Sequence, residues 1–185
     1  MHQQADHFLT HALDLDKWNP AEPLSYPRPA SEVFAAGRLD SDYFAPRVAS
    51  LLAKLGAAGM TIGSVAPQRR ERYYPTKEGY FDYIEISNVR SDGTVSSTRT
   101  AQAEAASRAT SVVRKGDVVS STVRPVRRLS ALISPEQDGF ICSSGFVVLV
   151  PTDIPAEVLL TYLRLPVVCE LMDLHTSASL YPAIS

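Results

Sequence analysis

Val112-Val113-Arg114-Lys115-Gly116-Asp117-Val118-Val119-Ser120-Ser121-Thr122-Val123-Arg124-Pro125 is the stretch on which the fold turns. Its β-branched runs, Val112-Val113 and Val118–Val123, flank Arg114–Asp117, where glycine and aspartate suit a tight turn. Arg124-Pro125 ends the second run, because proline donates no amide to a ladder. The reading is two short strands around a basic turn.

Working outward, Leu129–Ile133, Phe140–Cys142 and Phe146–Val150 are further β-rich runs, separated by Pro135, Asp138-Gly139 and Ser143-Ser144-Gly145. Upstream, Ile84 and Ile86 alternate with Tyr83 and Glu85, and Ser91–Thr94 supplies turn chemistry before Val95. Ala101–Ala109 reads as an alanine-rich helical turn.

Helices frame these strands. Phe44, Val48, Leu51, Leu52 and Leu55 form an apolar stripe with Pro46 in its first turn and Gly56 at its end, so 43–55 is expected to be helical. Pro155 opens a second helix carrying Val158, Leu159, Tyr162 and Leu163, and Pro166 starts a third carrying Val168, Leu171 and Met172. A short N-terminal helix is expected to end near Asp16, and Pro20, Pro23, Pro27 and Pro29 follow as an extended strap. The expected architecture is α+β: a twisted mixed sheet of about five to six strands framed by short helices. Its expected division is an N-terminal helix and Pro-rich connector over residues 1–32 and one domain over 33–185.

Composition narrows the function. The 185 residues are 45% hydrophobic and 21% charged, an ordinary globular balance. No run approaches the roughly 18 apolar residues that span a bilayer, so no membrane role and a cytoplasmic location are expected. Cys142 and Cys169 form no CxxC pair and lie near no histidine at metal-ligand spacing, so both are expected to be reduced and packed. The net charge of −2 hides a segregation: Lys plus Arg against Asp plus Glu is 5 to 7 over residues 1–60, 12 to 7 over 61–130, and 1 to 6 over 131–185. A basic middle between acidic ends is the pattern of a polyanion-binding face, and equally of a solvated surface.

Catalytic signatures fail on inspection. Asn19-Pro20-Ala21-Glu22 lacks the second proline and the aromatic ring of an amino-methyltransferase motif. Cys142-Ser143-Ser144-Gly145 has no upstream glycine to make a nucleophile elbow. Gly116–Thr122 lacks a phosphate-loop lysine, and Asp117, Asp138 and Asp153 show no metal-binding spacing. No catalytic residue, metal or cofactor is expected.

Binding chemistry is denser. Gln68–Tyr74 places Arg69, Arg70, Arg72, Tyr73 and Tyr74 in seven residues, with Lys77 following. Arginine pairs phosphates and guanine edges in forked geometry, and tyrosine stacks or contacts the sugar-phosphate backbone. Arg124, Arg127 and Arg128 repeat that chemistry around a stiffening proline, and two such loops on one sheet would make a groove-sized basic surface. Arg90, Arg99, Arg114 and Lys115 complete the basic candidates.

Four strings then resemble, in order, the target recognition domain of the specificity subunit of type I restriction-modification enzymes. They are Tyr83–Val89, Val113–Pro125, Cys142–Leu149 and Ser179–Ser185, and Gly37–Pro46 is similar to the segment preceding such domains. The likeness covers roughly residues 33–185. It implies a domain that reads one half of a split double-stranded DNA site for a partner DNA adenine methyltransferase (modification) subunit and a restriction (translocase-nuclease) subunit, and that catalyses nothing itself. It favours Arg124, Arg127 and Arg128 as DNA-facing, sets Ser177, Ser179 and Tyr181 in a polar C-terminal turn, and makes Ser143-Ser144 structural. A full specificity subunit carries two such domains and two helical spacers, so a half-length or truncated subunit is expected. Two competitors stay open: a protein-binding scaffold or inhibitor of a restriction system, and a metal-dependent nuclease.

Overall fold

The turn Arg114–Asp117 closes where the sequence places it, with Gly116 at φ +84° and the Asp117 amide donating to the Arg114 carbonyl at 3.0 Å. Its flanking strands, however, do not pair with each other. In the computed structural model, which describes residues 2–57 and 59–176, the turn carries the chain from one sheet into a second.

The first sheet holds β1 (Tyr80–Ile84), β2 (Thr98–Ala101), β3 (Ala109–Val112) and β6 (Ile141–Ser143) in the order β2-β1-β6-β3. Parallel pairing of β1 with β6 makes it mixed, with Ile84 opposite Cys142, while β2 and β3 run antiparallel to their neighbours. The second sheet is antiparallel, β5 (Ser130–Leu132), β4 (Val118–Ser121) and β7 (Phe146–Leu149), with Val119 opposite both Ala131 and Val148. Among the described residues, seven strands in two sheets thus replace the expected single sheet of five to six. The α+β class stands.

One segment joins the two sheets. Arg69 donates its amide to the Val148 carbonyl at 2.8 Å, and Tyr73 donates to the Thr110 carbonyl at 3.0 Å, so residues 67–73 run along the edge of β7 and then of β3. The apolar faces of the sheets meet in a core of Ile84, Val113, Val119, Ile133, Cys142, Phe146 and Val148. All four residues of β4 are buried, which explains a run without alternation. Its serines are reconciled with burial by hydrogen bonds, Ser120 Oγ lying 2.8 Å from Ser130 Oγ.

Among the described residues there are six α-helices: α1 (His2–Ala12), α2 (Ala30–Ala36), α3 (Pro46–Leu55), α4 (Ile62–Val65), α5 (Ala156–Arg164) and α6 (Pro166–Leu174). Leu159, Leu160 and Leu163 of α5 cover Val118 and Leu149 of the second sheet. Leu15, Leu51, Leu165 and Val168 tie the N-terminal region to α3 and α6. The first helix ends at Ala12 instead of Asp16, because Asp14 takes a left-handed φ of +51°. Residues 42–44 form a separate 3₁₀ turn, and α3 begins only at Pro46, whose ring favours an extended residue before it; Ala45 has ψ 138°. The stretch read as an alanine-rich helical turn contains the end of β2 and one 3₁₀ turn, Gln102–Glu104.

Candidate nucleic-acid interface

Strand direction sorts the basic residues into two ends and an edge. β1, β4 and β6 point their C-termini, and β3, β5 and β7 their N-termini, toward one end. The connections 85–97, 105–108, 122–129 and 144–145 gather there, and 113–117 and 133–140 lie at the opposite end.

At the first end the loops are joined by backbone bonds. Ser144 donates its amide to the Arg108 carbonyl at 2.7 Å, and Thr122 donates to the Gly145 carbonyl at 2.9 Å. Arg108, the 144–145 turn and the segment leading into Arg124 therefore form one contiguous arc. Arg108, Arg127 and Arg90 are exposed, the last on the turn in which Gly93 donates to the Arg90 carbonyl at 2.9 Å. Beneath Arg108 lies a cleft of about 130 Å³ lined by Tyr83, Glu85, Ile86, Ser87, Arg108 and Ser143. Burial pushes the Tyr83 phenol above its ordinary pKa.

The 124–128 loop has an unusual backbone. Arg124 at φ +49° and Arg128 at φ +59° flank a 3₁₀ turn over Pro125–Arg127. A left-handed non-glycine residue costs roughly 1–2 kcal/mol, so two in five residues must be held by their surroundings. Pro125 is buried, and Arg128 turns inward: its Nε donates to the Arg164 carbonyl at 2.6 Å and its Nη2 to Asp6 Oδ2 at 3.1 Å. Arg128, expected to face DNA, is thus the anchor of the loop that presents Arg127.

The opposite end is compensated. Arg114 pairs with both oxygens of Glu71 and approaches Asp138 Oδ2 at 3.7 Å. Lys115 is exposed, but its amide is held by Asp138 Oδ1 at 2.8 Å. Arg69 forms a two-pronged ion pair with Asp117, which is 1% exposed.

The third group lies on the joining edge, which is strand-like where a basic loop was expected. Side chains alternate along extended chain. Arg69, Glu71 and Tyr73 are engaged with the sheets, while Arg70, Arg72 and Tyr74 are exposed. Tyr73 donates its hydroxyl to Gln102 Oε1 and packs on Phe81 at 4.9 Å, which makes it structural. Beyond this edge Lys77 is exposed, and Arg99, on β2 at the other edge of the first sheet, pairs with Asp82 at 2.8 Å with its guanidinium 5.7 Å from the Tyr80 ring centroid. The two basic motifs therefore do not combine into one loop surface.

Ser177, Ser179 and Tyr181 lie outside the described residues. Sequence reasoning missed Arg108, an isolated arginine after the alanine-rich run, which only the hydrogen bond to Ser144 brings into the arc. Among the described residues no group of three or more His, Cys, Asp or Glu is arranged to hold a metal, and no helix is long and apolar enough to cross a membrane.

No protein-family model and no curated protein matches the sequence. Solved structures do. A chain from a study of complex assembly and conformational transition of the type I R-M system is 34% identical with a TM-score of 0.60, over 68% of this chain and 34% of that chain. The HsdS subunit from Thermoanaerobacter tengcongensis is 33% identical with a TM-score of 0.60, over the same shares of 68% and 34%. The chain spans about a third of the length of these relatives. Over that 68% of its length, the chain is similar in both sequence and fold to a type I restriction-modification specificity subunit.

Proposed function

We propose that the chain is a sequence-specific recognition module for double-stranded DNA, reading one half-site for a partner DNA adenine methyltransferase (modification) subunit and a restriction (translocase-nuclease) subunit. It catalyses nothing itself and uses no cofactor. The observation that carries this reading is the hydrogen-bonded arc that sets Arg108, Arg124 and Arg127 at one end of the domain, with Arg90 on the adjacent turn. Arginines on a fixed base can place forked donors against guanine O6 and N7, whereas phosphate contacts set register. Exposed Arg70 and Arg72 on the joining edge, and Lys77 after it, supply phosphate contacts in this reading, and Ser177, Ser179 and Tyr181 keep the polar role that the resemblance gives them. Residues 33–185 form the recognition domain and residues 1–32 its N-terminal connector.

A fluorescence-anisotropy titration of a labelled duplex across salt concentrations tests the reading. Log affinity should fall linearly with log salt, at about 0.9 per phosphate contacted. Weak binding that no sequence improves would instead favour protein docking. That second reading has observations of its own: Phe34 and Leu39 are exposed, and a groove of about 390 Å³ is lined by residues that include Ala35, Val48, Leu52 and His175.

A further inference from the structure

Arg164, the last residue of α5, is 6% exposed and yet incompletely partnered. Its Nη2 donates to the Ser91 carbonyl, while its Nε and Nη1 have no hydrogen-bond partner among the described residues. Nη1 is also pressed against the 91–93 turn: a Cβ on Gly93 would lie 2.9 Å from it. On the other side, the Arg164 carbonyl accepts from Arg128 Nε at 2.6 Å, and Arg128 reaches Asp6 of α1. Burial, and the like charge of Arg128, pull the Arg164 pKa below the usual arginine value, with Asp6 and Asp92 opposing.

This arrangement is a poor way to stabilise a fold. A buried cation with unmet donors costs free energy that an apolar side chain of similar length would not. What the residue does provide is a junction: its guanidinium binds the turn that bears Arg90, and its main-chain carbonyl accepts the anchor of the loop that bears Arg124 and Arg127.

We infer that Arg164 is a positioning residue that holds the 90–94 turn against the base of the 124–128 loop, so that both project from one rigid floor. Its bearing on DNA reading rests on the function proposed above; its mechanical role does not. Gly93 is the counterpart, since φ +87° and the closeness of Nη1 both exclude a side chain there.

The test compares the full chain with its Arg164→Met and Gly93→Ala variants by thermal melting and amide hydrogen exchange, without DNA. R164M is expected to melt at or above the wild-type temperature, while the amides of Gly93 and Thr94 exchange about tenfold faster or more and those of Arg127 and Arg128, still anchored to the main-chain carbonyl of position 164, keep their rates. G93A keeps the charge but pushes a methyl group toward Nη1, and it is expected to loosen the same turn. Unchanged exchange there in both variants overturns the inference. So does a lower melting temperature with faster exchange across both sheets, the signature of an ordinary structural residue. A duplex titration then separates the two proposals: with the turn loosened, R164M is expected to lose discrimination between duplexes. Failure of the wild type to bind any duplex overturns the function alone, because the exchange result is read without it.

Discussion

Arg69 grips Asp117 with both prongs of its guanidinium, Nε to Oδ2 at 2.6 Å and Nη2 to Oδ1 at 2.7 Å. The same carboxylate accepts the Arg114 amide at 2.8 Å, so a single buried aspartate closes the inter-sheet turn and ties the joining edge to it. Removing Arg69 leaves the buried Asp117 carboxylate with only the Arg114 amide, and removing Asp117 leaves Arg69 with only Glu71, at 3.8 Å. Asp117→Ala and Arg69→Ala are each expected to destabilise the fold by about 3 kcal/mol, at the lower end for a broken buried pair because Arg69 is one-fifth exposed. Urea unfolding checks this, and the folded fraction of R69A should bind duplex DNA as the wild type does.

The arc makes the complementary prediction. Arg108→Ala, Arg124→Ala and Arg127→Ala should each weaken duplex binding by about threefold to tenfold at moderate salt, and each should reduce the salt slope by about one where the side chain meets a phosphate. Arg114→Ala should change neither quantity, because Glu71 and Asp138 already neutralise that guanidinium. Anisotropy titrations at several salt concentrations decide the matter. Equal losses for Arg108 and Arg114 would argue against a reading end distinct from a compensated end.

The two cysteines give a pH prediction. Burial pushes the Cys142 thiol up to about 12 and the Cys169 thiol up to about 11, so both are neutral and inert at pH 7. Since the folded values are raised, this contribution to stability is fully present below the unfolded value near 9 and is lost as pH climbs through 11 and 12. Iodoacetamide at neutral pH should label both cysteines only after unfolding, and urea midpoints should fall above pH 9. Labelling of the native chain at a rate near that of a free thiol would contradict the burial of either side chain.

Much of the strand content was legible because β-branched runs and turn residues report local geometry. The division into two sheets was not, since no property of Arg114–Asp117 says whether its flanking strands pair with each other or with distant ones. β2 was missed because Thr98–Ala101 is half-exposed and is held by its pairing with β1, Arg99 facing Asp82. The candidate site shows the same limit. Basic residues can be counted from sequence, but their carboxylate partners arrive from afar: Asp117 for Arg69 at a separation of 48 residues, and Asp6 for Arg128 at 122. Arg108 enters the arc only through a backbone bond to a turn 36 residues away, a contact with no local signature.

In the proposed function this domain reads DNA sequence from the loop end carrying Arg108, Arg124 and Arg127. Selection from a randomised duplex library, run with the wild type and with the R108A/R124A/R127A variant at two salt concentrations and with or without a methyltransferase subunit, tests it most directly. The expected result is enrichment of one short half-site by the wild type and its loss in the triple variant, with the fold intact by circular dichroism. Recovery of all sequences alike by the wild type in every condition, or the same enriched half-site from the triple variant, would contradict it.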